Sequence, residues 1–337
     1  MLQTKTNIFL GPPIERLESR ALLSASFKVV DVSLLSGGIA SAAYGLNQAG
    51  VVVGNADAAK GIMPGFKFAN AVISALGTLP GATTAHAYSV NSQVDVTGEI
   101  LVGKSDHAYL FSKGVMHDLG TLGGSSSFAY SINDSDTIVG GSFIRGDKLV
   151  HAFEWTPISG MKDIGTLGGG FSLAYAITAA GKVAGYSTNS HGQNHAFLYD
   201  GKIHDLGTLS GATRSVAYAI NATGQIAGSA TVKNNEHAVL YSGGKFSDLG
   251  TLGGISSWAY GINRSATIVG VSTIKGSSTT HAFEYRAGKM YDLNSLIDPA
   301  SGWTLLAASA VNDAGQIVGV GMIRGHVHGF LLNPVNA

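Results

Sequence analysis

Cysteine is absent from the 337 residues, which excludes disulfides, thiolate nucleophiles and the common cysteine-based structural zinc sites. Charge is sparse: Lys+Arg and Asp+Glu number 21 each, charged residues make up 12% of the chain, and the formal net charge is zero. A chain so balanced has no basic field to draw nucleic acid, so that class of partner is set aside. Long apolar runs are missing too. The apolar stretches are short and bounded by Gly, Asn or Ser, whereas a membrane-spanning helix needs about 18 to 20 consecutive apolar residues, so no membrane span is expected.

What the chain does have is glycine, 47 residues of it, and a phrase that recurs. From His195 to Ser229 it reads HAFLYDGKIHDLGTLSGATRSVAYAINATGQIAGS. The DLGTL element starts at Asp31 (DVSLL), Ala75 (ALGTL), Asp118, Asp163, Asp205, Asp248 and Asp292 (DLNSL), in steps of 42 to 45 residues. A second marker, AY.IN, places Tyr44, Tyr88, Tyr130, Tyr175, Tyr218 and Tyr260 at matching intervals, with Ser309 in a degenerate seventh copy. Self-similarity at such a period is the signature of a repeat architecture.

Each period contains four short strand-like segments. VAYAIN and QIAGS flank Asn221-Ala222-Thr223-Gly224, a turn with Asn opening it and Gly at the left-handed position. HAFLY and KIHDLG flank Asp200-Gly201, which predicts a tight primed hairpin turn. Small residues at alternate positions would let neighbouring sheets approach while Leu, Ile, Phe and Tyr fill the gaps. Four antiparallel strands per roughly 43 residues, joined by local hairpins, predict a β-propeller blade. The last copy ends after HGFLLN with no DLGTL strand, while FKVVDVSLLSGG, residues 27–38, is a fourth strand with no first three before it. The N-terminal strand should therefore close the C-terminal blade, giving an all-β, seven-bladed propeller as one domain over residues 27–337.

The HAF triplet at His107 (HAY), His151, His195, His237 (HAV), His281 and His328 (HGF), together with DLGTLGG and AY.IN, resembles the HAF repeat family of extracellular bacterial proteins. Copy one departs most, with Pro64-Gly65-Phe66 at the HAF position. Before the ring, IERLESRALLSAS (residues 14–26) resembles the LEPR-XLL segment near the start of large secreted or surface bacterial proteins, with Ser19 in place of the Pro. The two resemblances imply an extracellular or cell-surface location, with residues 1–26 as a targeting segment outside the ring.

Six histidines at one repeat position invite a metal or catalytic reading. Equivalent positions one blade apart are too distant for a shared ion with bonds of about 2 Å, so His107, His151, His195, His237, His281 and His328 are read as structural hydrogen bonders. The recurring Asp118, Asp163, Asp205 and Asp248 are read as structural repeat positions as well. Glu154 and Glu284 share a repeat position, but a glycosidase pair needs about 5 to 9.5 Å and theirs lie in blades three apart. The sequons at Asn133, Asn221 and Asn263 all fall in the same turn and are explained by turn chemistry. LGTLGG lacks the Lys and following helix of a phosphate loop, and NDAGQI at Asn312 is too short for a calcium loop. No catalytic residue, metal or cofactor is expected.

Function in a repeat protein sits where the copies differ. The crossover and second-hairpin loops should share one face, carrying Phe128, Phe171, Arg214, Trp258 and Trp303 on the first set and Arg145, Lys148 and His191 on the second. These form the candidate binding surface, with Phe128, Leu173, Val216 and Trp258 alternatively plugging the channel mouth. The expected function is a secreted, non-enzymatic, monomeric module that binds polysaccharide or protein. A glycan-active hydrolase or lyase and a self-assembling surface module are the alternatives.

Overall fold

The computed structural model describes residues 26–335 apart from 33, 37 and 59–61. The segment read as a targeting region lies outside the described residues except for Ser26. Strands dominate, joined by turns and two single 3-10 turns at Leu293–Ser295 and Pro299–Ser301. They form five four-stranded antiparallel sheets and one eight-stranded sheet, which is two such groups joined by a single parallel bridge from Val150 to Phe171. We number the seven four-stranded units in chain order: residues 41–75, 82–118, 123–165, 168–205, 215–248, 253–292 and 303–334. In unit 7 the fourth strand is Phe27–Asp31, which pairs antiparallel with His326–Pro334.

Burial within a unit falls from the inner strands to the outer one. Along the inner strand Ser41–Leu46 buried and half-buried residues alternate, the period-2 pattern of a strand with two unlike faces. The second strand, such as Ile226–Val232, is buried on both faces over its first five residues, so it reads as an unbroken run of small and apolar residues. Outer strands such as Val115–Asp118 are largely exposed. Phe66, Phe153, Phe197, Phe283 and Phe330, at the third position of the HAF motif, are fully buried and anchor the successive cores.

Every inner strand carries an extra residue at one shared place. The pairing register slips between Ala87 and Ser89, and at the same place in each of the other units, so Tyr44, Tyr88, Tyr130, Tyr175, Tyr218, Tyr260 and, in unit 7, Ser309 stand unpaired. A bulge bends a strand and re-aims the extra side chain. Opposite the slip, the second strand always has glycine: a Cβ on Gly228 would collide with the Val216 carbonyl, and Gly54, Gly98, Gly140, Gly185, Gly270 and Gly319 repeat the contact. This glycine serves the ladder inside its own sheet, whereas Gly45 and Gly141 meet the expectation of close approach between sheets, facing Tyr88 and Leu173 of the next unit.

Turn chemistry is partly as expected. Gly224 takes the left-handed conformation in the Asn221 turn, with φ +84°. The primed two-residue turn expected at Asp200-Gly201 is found instead at Lys113-Gly114, Gly243-Gly244 and Ala287-Gly288, where both residues have positive φ. At Asp200 only Gly201 does, and the next strand begins at Ile203. The β-branched-free but non-glycine pair Asn70-Ala71 makes the same turn in unit 1.

Side chains tie each unit to the next. Buried serines at the start of the inner strands accept a backbone N–H from the preceding unit, as Ser127 does from Ala108 and Ser257 from Ala238. The turn asparagines donate Nδ2 to the next unit's carbonyl: Asn47 to Asn91, Asn91 to Asn133, Asn133 to Thr178, Asn221 to Asn263 and Asn263 to Asn312. Unit 7 makes both ties to unit 1, through Asn312 Nδ2 to Asn47 O at 3.2 Å and Gly329 N to Ser41 Oγ at 3.0 Å.

Candidate functional site

The repeated histidines are paired within their own sheets. Nδ1 of His107, His151, His237 and His281 stands 2.6 to 2.8 Å from a carboxylate oxygen of Asp118, Asp163, Asp248 and Asp292. His195 sits 2.9 Å from Asp205, and His328 takes its partner, Asp31, from the N-terminal strand. The aspartate's other oxygen accepts the N–H two residues on, as at Gly120 and Gly250. Unit 1 lacks the histidine, having Pro64 at that position, and lacks the aspartate too, having Ala75. Among the described residues no group of three or more His, Asp or Glu is placed to hold a metal ion.

The bulged tyrosines form the inner lining. Rings from successive units touch in an unbroken series from Tyr44 to Tyr260, with centroids 5.1 to 5.7 Å apart. Ser309 interrupts the series in unit 7. The Tyr88 hydroxyl donates to Glu99 Oε1 at 2.8 Å, and His86 Nδ1 lies 3.0 Å from that hydroxyl and 3.2 Å from the carboxylate. Burial, and then the Glu99 charge, push the phenols of Tyr88 and Tyr130 up. These rings therefore stay protonated and able to donate.

A second polar cluster stands three units further on. Arg214 Nη1 is 3.7 Å from Glu236 Oε1, which also accepts from Thr231 Oγ1 at 2.9 Å. The Arg214 guanidinium acts electrostatically on Tyr175, Tyr186 and Tyr218, opposing the upward push of burial on each. Beside it, the Phe171 ring is 5.4 Å from Tyr186, which lies nearly parallel to Tyr175 at 6.0 Å.

The sequence-derived candidates divide between these surroundings and others. Phe171 and Arg214 belong to the second cluster. Phe128 is half-buried edge-on to Phe143. Trp258 lines a groove of about 480 Å³ with Ile255, Thr273 and the Gly276–Ser278 stretch. Arg145, Lys148 and His191 are exposed on second-hairpin turns. Crossover and second-hairpin loops do meet on one face, since Asp147 Oδ1 accepts from Ser125 N. Trp303 is half-buried against Phe330 and His328 and packs on the core of unit 7. Of the possible mouth plugs, Leu173 and Val216 are buried whereas Phe128 and Trp258 are only partly so.

Glu99 and Tyr186 were not singled out from sequence, although a signal exists. Both follow the second-strand glycine, where sister copies have Asn55, Gly141, Ser229, Val271 and Val320. Register sets Glu99 opposite His86 and Tyr186 opposite Leu173. Variation around the ring at two facing positions thus falls in one place.

No protein-family model matches the chain, and no curated protein matches it in sequence. Solved structures do. YCF48 bound to D1 peptide superposes with a TM-score of 0.53 at 9% identity, covering 95% of this chain and 100% of that one. A gluconolactonase from Xanthomonas campestris gives a TM-score of 0.47 at 11% identity, covering 94% of this chain and 93% of its own. TolB from Acinetobacter baumannii gives 0.45 at 12% identity over 63% of this chain, which spans about half of that protein, 53%. The likeness to YCF48 supports a β-propeller fold. Among the described residues no helix is long and apolar enough to cross a membrane.

Proposed function

We propose that the chain is a closed seven-bladed propeller of HAF-type repeats that works at the cell surface or outside the cell as a non-enzymatic binding module. The ring reading is supported by the ties from unit 7 back to unit 1 and by the Phe27–Asp31 strand completing the last sheet. One observation carries the functional reading: repeated polar residues are spent on the scaffold, while copy-specific ones make up the two polar clusters and the Trp258 groove. His–Asp pairs, turn asparagines and inner-strand serines all bond to protein groups. Glu99, Tyr186, Arg214, Glu236 and Trp258 are the residues left to meet a ligand, which is a polysaccharide or a protein.

A hydrolytic pair of carboxylates finds no support in the arrangement. Glu154 and Glu284 sit in units 3 and 6, and Glu284 is buried beside Arg286, with Nε 3.0 Å from Oε2. The test is retention of the full chain on a panel of insoluble polysaccharides, with release of soluble sugar assayed in the same tubes. Retention without release is expected, weakened several-fold in Trp258→Ala. Sugar release refutes the non-enzymatic reading, and no retention on any polysaccharide moves the ligand to the protein class.

A further inference from the structure

We propose that the arc of side chains linking the two polar clusters is a receptor for a neutral, hydroxyl-rich glycan segment. The inference rests on the crossover-side mouth being the binding face, and it names the ligand class for that mouth. The first ground is charge. Glu99 faces His86 and the Tyr88 hydroxyl, and Arg214 faces Glu236 at 3.7 Å. The Arg214 cluster therefore contains both charges, so an anion there would meet Glu236, while Glu99 is already engaged by the Tyr88 hydroxyl and lies beside the His86 ring. An uncharged ligand meets no such opposition.

The second ground is hydrogen-bond capacity. The Tyr130 and Tyr175 phenols between the clusters are held protonated by burial, and a protonated phenol can donate one hydrogen bond and accept another. The carboxylates only accept and the guanidinium only donates. A sugar hydroxyl is the group that serves all three, since it donates and accepts at once. Ring contacts from Tyr88 through Tyr130 and Tyr175 to Tyr186, with centroids 5.1 to 6.0 Å apart, make these groups one continuous arc.

The third ground is an apolar wall. Phe171 is half-buried and backed at 5.4 Å by Tyr186, itself stacked on Tyr175. An aromatic face beside fixed polar groups suits the C–H face of a pyranose. Glu99, Tyr186 and the tyrosines sit on strands, and the Arg214 carbonyl is held by Thr231 N at 3.1 Å. The groups are thus preorganised, which lowers the cost of ordering them around a ligand.

The experiment is calorimetric titration of the full chain with neutral gluco-, manno- and galacto-oligosaccharides, an acidic galacturonate oligosaccharide and a lysine-rich peptide. Saturable binding of at least one neutral series is expected, weakened tenfold or more in both Phe171→Ala and Arg214→Gln, with circular dichroism verifying that each variant is folded. Binding by no neutral oligosaccharide, or equal binding in wild type and both variants, overturns the proposal. If the acidic sugar or the peptide binds instead and Arg214→Gln abolishes it, the glycan assignment falls while the binding face stands. If a ligand binds but neither variant affects it, both readings of this mouth fall.

Discussion

Glu284 occupies a repeat position where two sister copies carry Leu198 and Leu240, and it is only 6% exposed. Burial raises its pKa above the usual carboxylate range, with Arg286 opposing the shift. Arg286 Nε reaches Oε2 as a charge contact, without the alignment of a hydrogen bond. Because the folded form holds the proton more tightly than the unfolded chain, stability is full below the ordinary Glu range and falls as pH rises through the raised value. Glu284→Leu should remove that loss. At pH 7 the variant should gain on the order of 1 kcal/mol in denaturant unfolding, a gain that shrinks below the ordinary Glu range; equal pH profiles would contradict the account. The residue scale also shows what sequence reading could reach. Repetition alone marked the histidines as structural, but their aspartate partners sit on the neighbouring strand and emerge only from register. Glu99 and Tyr186 stayed hidden because their neighbours in sequence are ordinary strand residues; only the pairing across strands sets them opposite His86 and Leu173.

At the scale of the strand, four segments per repeat were legible from turn signals and alternation. The bulge was not, because its extra residue, a tyrosine in six units and Ser309 in the seventh, recurs in every copy and so leaves the repeat spacing undisturbed. The paired glycine was legible as a small residue but not for its own reason, the inner-strand carbonyl pressed against it. Gly228→Ala should therefore cost about 3 kcal/mol, since the collision is with backbone that cannot turn away. Chemical denaturation measures it, and a cost under about 0.5 kcal/mol, the scale of an ordinary surface substitution, would count against the tight ladder. Asp200-Gly201 teaches a related lesson: the dipeptide has the right residues, yet the adjoining strand starts a residue later and relaxes the turn.

For the whole molecule, the repeat count and the unmatched end segments pointed to the N-terminal strand completing the last sheet, and Phe27–Asp31 does pair with His326–Pro334. That strand also supplies Asp31 to His328 and packs Phe27 into the core of unit 7. Deleting residues 1–38 should lower the melting temperature by roughly 10 °C or more and promote association through the bared sheet edge, whereas deleting only residues 1–24 leaves the strand in place. Calorimetric scans of the two truncations decide it, and equal melting temperatures would count against the proposed ring closure. The mouth, by contrast, is built from residues scattered over several repeats, and no local stretch announces it.

The asparagine ties all run in one direction, each unit holding the one after it, and the sequence of ties lapses once. Thr178, whose hydroxyl accepts from Lys182 N, has no amide to extend towards Asn221. The junction between units 4 and 5 keeps its serine tie from Ala196 to Ser215 but has one fastening fewer than those that carry both. Mechanically, the molecule has a seam there, away from the sheet in which the first and last described strands pair. Under tension or transient breathing, this hinge line should part sooner than the junctions that carry both ties, the join between first and last strands among them.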